Sequence, residues 1–336
     1  METIKGDIMT KRTWLLVLST VLVLGLPFYA LAGGKAEGQA GSKTYNIVYI
    51  QGMSGNPFFN SLTNGCKDEA AKLGNVTFTY QGANNYSPQA QTPVLNAVIA
   101  GKPDAIIISP MAGEAMMVPL KQAKDAGIKL VFADTTATDQ SLAASFIASD
   151  NVAGGKFAGD QLAKLIGEKG EVMLMNGTPG ISTTDQRQQG FEAALKAYPG
   201  ITYLGVQFCQ SDPQKATQIV SSTLAAHPNL KGIYAVSTQE VEGCAVAIAN
   251  ANAADNVALV GFDSSPPIIE DINKGIVKGV VLQEPYQMGV FAIDQAVNAL
   301  QAKPTTAVIK TPFVFLTKSS MNDPAVSKFI YQDQIK

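Results

Sequence analysis

The chain has one histidine, His227, one tryptophan, Trp14, and three cysteines in 336 residues. So little histidine excludes sites built on paired imidazoles and most histidine-dependent acid–base chemistry. Cys66, Cys209 and Cys244 match no metal or redox spacing, and their odd number leaves at least one thiol free. Excess charge is scarce too. Lys+Arg 25 against Asp+Glu 27 gives a net charge of −2, which provides no footprint for nucleic acid or anionic lipid. What remains is a globular composition, 46% apolar and 15% charged, in a length sufficient for about two domains. That excludes a disordered chain, a collagen-like chain and a small disulfide scaffold.

One apolar run stands apart. Lys11 and Arg12 precede the stretch from Trp14 to Phe28, and Ala30-Leu31-Ala32 supplies small residues for cleavage. A basic start, an apolar middle and an A-x-A end predict a secretory signal peptide over residues 1–32, favoured over a membrane anchor by Pro27 and the small-residue tail. Residues 33–43, GGKAEGQAGSK, read as a flexible tether. No later run is long enough to span a bilayer. The mature protein is expected to be exported, periplasmic or otherwise extracytoplasmic.

From Tyr45 onward, short apolar runs alternate with amphipathic stretches. Strands are predicted over Tyr45–Gln51, Val76–Tyr80, Ala105–Ser109 and Lys129–Ala133, with helices over Phe58–Leu73, Pro88–Ala100 and Glu114–Ala126 between them. The order recurs. Glu171–Met175, Thr202–Phe208, Gly232–Val236 and Val257–Phe262 are strands, and helices fall near Thr184–Ala197, Gln214–Ala226 and Val241–Ala251. Continuous buried runs alternating with helices predict two α/β lobes, each a doubly wound parallel sheet.

The repeat carries acids at matching places. LysLeuValPheAla ends in Asp134 and AlaLeuValGlyPhe ends in Asp263. Ligands of open parallel sheets bind beyond the carboxyl ends of strands, so each half offers a carboxylate to a shared cleft. Either Asp taken singly would also serve as a helix cap. Asn56-Pro57-Phe58-Phe59 follows the first strand: Pro57 suits the first helical turn, Asn56 suits its cap, and adjacent Phe58 and Phe59 point about 100° apart, so that either one is expected at the cleft mouth or both are core residues with one partly exposed. His227, in Ala-His-Pro after a helix, reads as a surface histidine.

Asn56-Pro57-Phe58-Phe59, Ile147-Ala148-Ser149-Asp150-Asn151 with Gly154-Gly155, Arg187-Gln-Gln-Gly190-Phe191, Ala226-His227-Pro228, Val260-Gly-Phe-Asp263 and Gln283 occur in this order. Together they resemble the ribose-binding branch of the periplasmic sugar-binding proteins, over nearly all of residues 44–316. The resemblance implies the type I periplasmic binding fold: two lobes joined by a three-strand hinge, closing on one sugar delivered to an ABC permease and its ATPase. Chain crossings would fall near Ser149–Asp150, Gln283–Glu284 and Val314–Phe315. Residues 44–149 plus 284–314 would form the N-terminal lobe, and 150–283 plus 315–336 the C-terminal lobe and tail. A monomer without cofactor, metal or catalysis is implied, with a chemoreceptor as a second partner.

Residue by residue, Asn56, Phe58, Phe59, Asp134, Asp263 and Gln283 match that family's ligand contacts. Aromatic rings pack on the C–H face of a sugar, and carboxylates accept hydroxyl protons in charge-assisted hydrogen bonds. The departures are Thr135 and Asp185 where the family carries arginines, Ser211 where it carries an aromatic, and Ser237 near a lost Asn. Asp134, Asp185 and Asp263 would then line one cleft, predicting a neutral, hydroxyl-rich guest or an amine over sugar phosphates and uronic acids. Thr184-Asp185-Gln186 also resembles the receptors of furanosyl quorum signals, although no lysine stands near Gly52. A glycosidase using Asp134 and Asp263 is the catalytic alternative. A sugar-responsive repressor of this fold would need a DNA-binding module where the leader lies. Cys209 and Cys244 are expected not to pair.

Overall fold

The computed structural model describes residues 43–336. The expected signal peptide, and all of the tether except Lys43, lie outside the described residues. The elements are, in order, β1 (Tyr45–Gln51), α1 (Pro57–Leu73), β2 (Val76–Gly82), α2 (Pro88–Ala100), β3 (Ala105–Ile108), α3 (Met117–Asp125), β4 (Lys129–Ala133), β5 (Ser145–Ser149) and α4 (Asn151–Leu165). There follow β6 (Gly170–Asn176), α5 (Ser182–Leu195), β7 (Ile201–Phe208), α6 (Pro213–Ala226), β8 (Leu230–Ala235), α7 (Thr238–Asn250), β9 (Ala258–Phe262) and α8 (Pro266–Lys274). The chain ends with β10 (Val277–Leu282), α9 (Pro285–Leu300), β11 (Val308–Thr311), β12 (Val314–Leu316) and the short α10 (Pro324–Ser327).

Two six-stranded sheets result, ordered β11-β5-β4-β3-β1-β2 and β12-β10-β9-β8-β6-β7. All pairings are parallel except β10 with β12. The central strands are buried on both faces, so β3 reads as four consecutive buried residues and β9 as five. Helix starts are written locally. α1, α2, α6 and α8 each open on a proline, and the preceding Asn56, Ser87, Asp212 or Ser265 accepts a backbone N–H with its side chain.

The chain passes between the sheets after β5, after β10 and after β11. The third passage lies at Pro312–Phe313, ahead of the expected Val314–Phe315, because Val314 already pairs with Leu282 in the second sheet. α9 returns to the first lobe and packs on α1, β3, β4 and β5. Beyond β12 the tail stays with the C-terminal lobe as far as Tyr331, whose amide donates to Ser264 Oγ at 3.3 Å, and only the residues after it depart from the expected 315–336. Its last residues lie along α1: Asn60 donates to the Asp333 carbonyl at 2.7 Å, and Asn64 accepts from the Lys336 amide at 2.9 Å. No helix among the described residues is long and apolar enough to cross a membrane.

Candidate functional site

The two strand-end acids are equivalent in backbone as well as in sequence. Asp134 follows β4 at φ 69° and Asp263 follows β9 at φ 73°, left-handed values that non-glycine residues adopt at a cost. Each amide donates to a carbonyl at or just before the end of the next strand, Asp134 to Ile147 at 2.7 Å and Asp263 to Val281 at 2.8 Å. The same turn thus lifts one carboxyl off the end of each sheet, into a cavity between the lobes.

Of the nine residues expected in the site, Phe58, Asp134, Thr135, Ser237, Asp263 and Gln283 line this cavity. The void there is about 20 Å³, enough for about one water. Lobe-to-lobe contacts hold it shut: the Gly113 amide donates to the Gly180 carbonyl at 3.2 Å, and the Thr136 amide to Ser182 Oγ at 3.0 Å.

Three expected residues are placed otherwise. Asn56 is buried, and its Oδ1 is occupied as the cap of α1, accepting the Phe58 amide at 2.9 Å. Phe59 stands behind Phe58, ring edge to face at 5.2 Å, and also meets Tyr86 at 5.9 Å. Both phenylalanines are buried; Phe58 faces the cavity between the lobes, while Phe59 packs in the core behind it. Asp185 is exposed, and its carboxyl accepts the Gly180 amide at 2.9 Å, which tidies the turn before α5. The expected trio of carboxylates is therefore a pair.

The sequence reading missed the cation. Arg187, one turn further along α5 than Thr184, is fully enclosed and lines the cavity. Its Nε donates to Asn151 Oδ1 at 2.9 Å, its Nη1 to the Val236 carbonyl at 2.8 Å and to Asp263 Oδ2 at 3.2 Å. The guanidinium lies 3.8 Å from the centre of the Phe262 ring. The signal was present in the Arg187-Gln-Gln-Gly-Phe motif, which announces the family but does not say which way the side chain points. Thr184, Ser211 and Tyr86 also contribute to the wall.

Asp263 is well supplied with donors. Besides Arg187, Gln283 Nε2 reaches its Oδ1 at 2.8 Å and the Tyr331 hydroxyl reaches the same oxygen at 2.7 Å. Asp134 is the opposite case. Burial pushes its carboxyl up to about 7, Arg187 pulls the other way, and Asp263 adds to the rise. Its Oδ1, with Thr135 Oγ1 and Gln283 Oε1, is buried without a hydrogen-bond partner among the described residues. Behind Ser237, whose hydroxyl donates to Glu240, burial raises the Glu240 carboxyl, opposed by its hydrogen bonds to Ser237 and Cys209. The three cysteines are buried free thiols. No cluster of three or more His, Cys, Asp or Glu side chains suited to a metal occurs among the described residues.

Two α/β lobes meeting on a polar cavity with an aromatic wall define a two-lobe ligand-capture protein. Residues 47–304 match the periplasmic binding protein domain, and the chain belongs to that family. It is 31% identical to the ribose import binding protein of Escherichia coli over 261 residues, 78% of this chain and 86% of that one. It is 26% identical to the D-apiose import binding protein of Actinobacillus succinogenes, over 84% of this chain and 91% of that one. Among solved structures, an ABC transporter solute binding protein from Agrobacterium vitis bound with α-D-tagatopyranose superposes with a TM-score of 0.84. It is 35% identical, over 86% of this chain and all of that one. A carbohydrate transporter solute binding protein from Agrobacterium radiobacter in complex with D-arabinose gives 0.81 at 28% identity, over 85% and 99%.

Proposed function

We propose that this protein is the extracytoplasmic sugar-binding component of an ABC importer, and that it captures one neutral pentose, hexose or related polyol between its lobes. The observation that carries the reading is the set of unpartnered buried acceptors, Asp134 Oδ1, Thr135 Oγ1 and Gln283 Oε1, whose residues line one cavity beside Phe58. A buried acceptor left without a donor costs about 1–3 kcal/mol, and sugar hydroxyls supply donors of the right kind. Phe58 offers a ring to the C–H face of the sugar.

Charge supports a neutral guest. Arg187, the one cation among the described residues that line the cavity, is already met by Asp263, so a phosphate or uronate would face Asp134 without a free counter-charge from them. Amines are less favoured than the expected three carboxylates implied, since Asp185 faces elsewhere. The quorum-signal alternative rests on Asp185 and Gln186, and neither lines the cavity. A site lined by residues of both lobes is reached from solvent when the lobes part, so capture proceeds by opening and closing about the three chain passages between them. In this reading the protein is an exported monomer with a cleaved leader, delivers its sugar to a permease or a chemoreceptor, and performs no catalysis.

A thermal-shift screen of D-ribose, D-arabinose, D-tagatose, D-apiose and D-allose, beside ribose 5-phosphate and D-glucuronate, tests it. At least one neutral sugar should raise the unfolding midpoint and neither anion should. Stabilisation by the anions alone would overturn the reading.

A further inference from the structure

The matched family domain ends at residue 304, yet one of the residues holding Asp263 comes from the far end of the chain. We propose that the C-terminal tail belongs to the binding machinery, with Tyr331 as a positioning residue that fixes Asp263 for the sugar and the last five residues as the strap that holds Tyr331 in place. The proposal rests on the sugar-binding reading above.

The geometry is specific. The Tyr331 hydroxyl donates to Asp263 Oδ1 at 2.7 Å and accepts the Gln283 amide at 2.9 Å, which ties a cavity carboxylate to the strand-end backbone where the chain crosses between lobes. Its ring meets Phe58, the aromatic wall of the cavity, edge to face at 5.6 Å. Burial keeps the phenol un-ionised, so it remains a donor. With Gln283 Nε2 also on Oδ1, that oxygen's lone pairs are both taken. Oδ2, which Arg187 touches, is then the atom left to receive a sugar hydroxyl. Tyr331 thereby decides which oxygen of Asp263 is offered, and in what direction.

The strap explains an otherwise odd stretch of α1. Asn60, Ser61 and Asn64 are polar yet buried. The tail lies over them: the Gln332 amide donates to Ser61 Oγ at 2.6 Å, and Asn64 Nδ2 donates to the Gln332 side chain at 2.6 Å and the Gln334 carbonyl at 3.0 Å. A segment leaving the second lobe thus ends on the first, passing the site between them.

Two substitutions in the full chain test this. Tyr331→Phe keeps the ring against Phe58 and removes only the hydroxyl. In aspartate-13C-labelled protein without sugar it should move the Asp263 carboxyl resonance, and an unmoved resonance overturns the proposal. By calorimetry with the sugar that gives the largest thermal shift in the screen, Y331F should bind about tenfold more weakly, the loss typical of a hydrogen bond to a charged group. Its sugar-free unfolding midpoint should fall, because the Gln283 amide and Asp263 Oδ1 each lose a buried partner, so affinities are compared at a temperature where both proteins are folded. A chain ending at Tyr331 should also bind more weakly, and wild-type affinity in either variant overturns the proposal. Wild-type protein that binds none of the sugars overturns the functional reading and this proposal with it. An unmoved resonance, which needs no sugar, overturns this proposal alone.

Discussion

Asp134 and Asp263 occupy the same turn in the two lobes but have different hydrogen-bond partners. Asp263 has three donors, whereas Asp134 is buried with an unpartnered oxygen and its carboxyl is pushed up to about 7. The native chain therefore keeps a proton that the unfolded chain releases at the ordinary carboxylate value. Between about pH 4 and pH 7 the folded form binds more protons, so raising the pH across that window destabilises the sugar-free protein through this group. Asp134→Asn should flatten that slope in urea midpoints measured at pH 4.5, 6 and 7.5, and a parallel slope would remove Asp134 as its source. A sugar hydroxyl donating to this carboxylate favours the ionised form. Affinity in the wild type should accordingly rise as pH passes upward through about 7, with proton release visible in calorimetry across buffers of different ionisation heat.

Arg187 could not be assigned to the site from the sequence, whereas Asp134 and Asp263 could. Strand-end acids are readable because the turn after a parallel strand fixes where a side chain emerges. An arginine on a helix could equally have faced solvent. Its partners Asn151, Val236 and Asp263 lie 36 to 76 residues away, and no local pattern announces them. Arg187→Met should leave Asp263 buried with its counter-ion gone, costing about 3–5 kcal/mol in chemical denaturation. Lysine should not restore it, since one ammonium cannot reproduce the fork's separate bonds through Nε and Nη1.

At the scale of elements, β1 to β4, β6 to β9 and the helices α1 to α3 and α5 to α7 were legible, while β5, β10 to β12, α8 and above all α4 were not. Its sequence NVAGGKFAGDQLAKL carries three glycines and has low helix propensity. The structure gives their reason. A Cβ on Gly155 would lie 2.1 Å from the Arg187 carbonyl oxygen, and one on Gly190 would lie 2.0 Å from that of Val152. α4 and α5 cross with backbones in contact, and this crossing sets the height at which Arg187 enters the site. What reads locally as helix-breaking is a requirement of packing. Gly190→Ala should destabilise the protein by a few kcal/mol despite alanine's better propensity, because both blocking atoms are backbone and cannot move aside alone. A stabilised variant in urea unfolding would contradict the close crossing.

For the molecule as a whole, the duplicated architecture was readable from the recurrence of strand and helix, and the shared cavity from the equivalence of two acids. The course of the tail was not, because hydrogen bonds between residues near 60 and near 333 leave no periodic trace. Closing on a sugar was an implication of the family resemblance, but the few contacts across the gap between the lobes were not legible either. One of these is the Thr136 amide on Ser182 Oγ, joining the loop after Asp134 to the first turn of the helix that carries Arg187. A ligand that touches both lobes gains affinity from every contact present only when they are together. Ser182→Ala removes one such contact without entering the set of residues that line the cavity. A neutral hydrogen bond contributes about 1 kcal/mol, so sugar affinity should fall about fivefold. Small-angle scattering of the sugar-free variant should show a larger radius of gyration, with saturating sugar restoring the wild-type value. If affinity falls while the sugar-free radius is unchanged, Ser182 acts on the bound sugar rather than on the balance between open and closed lobes.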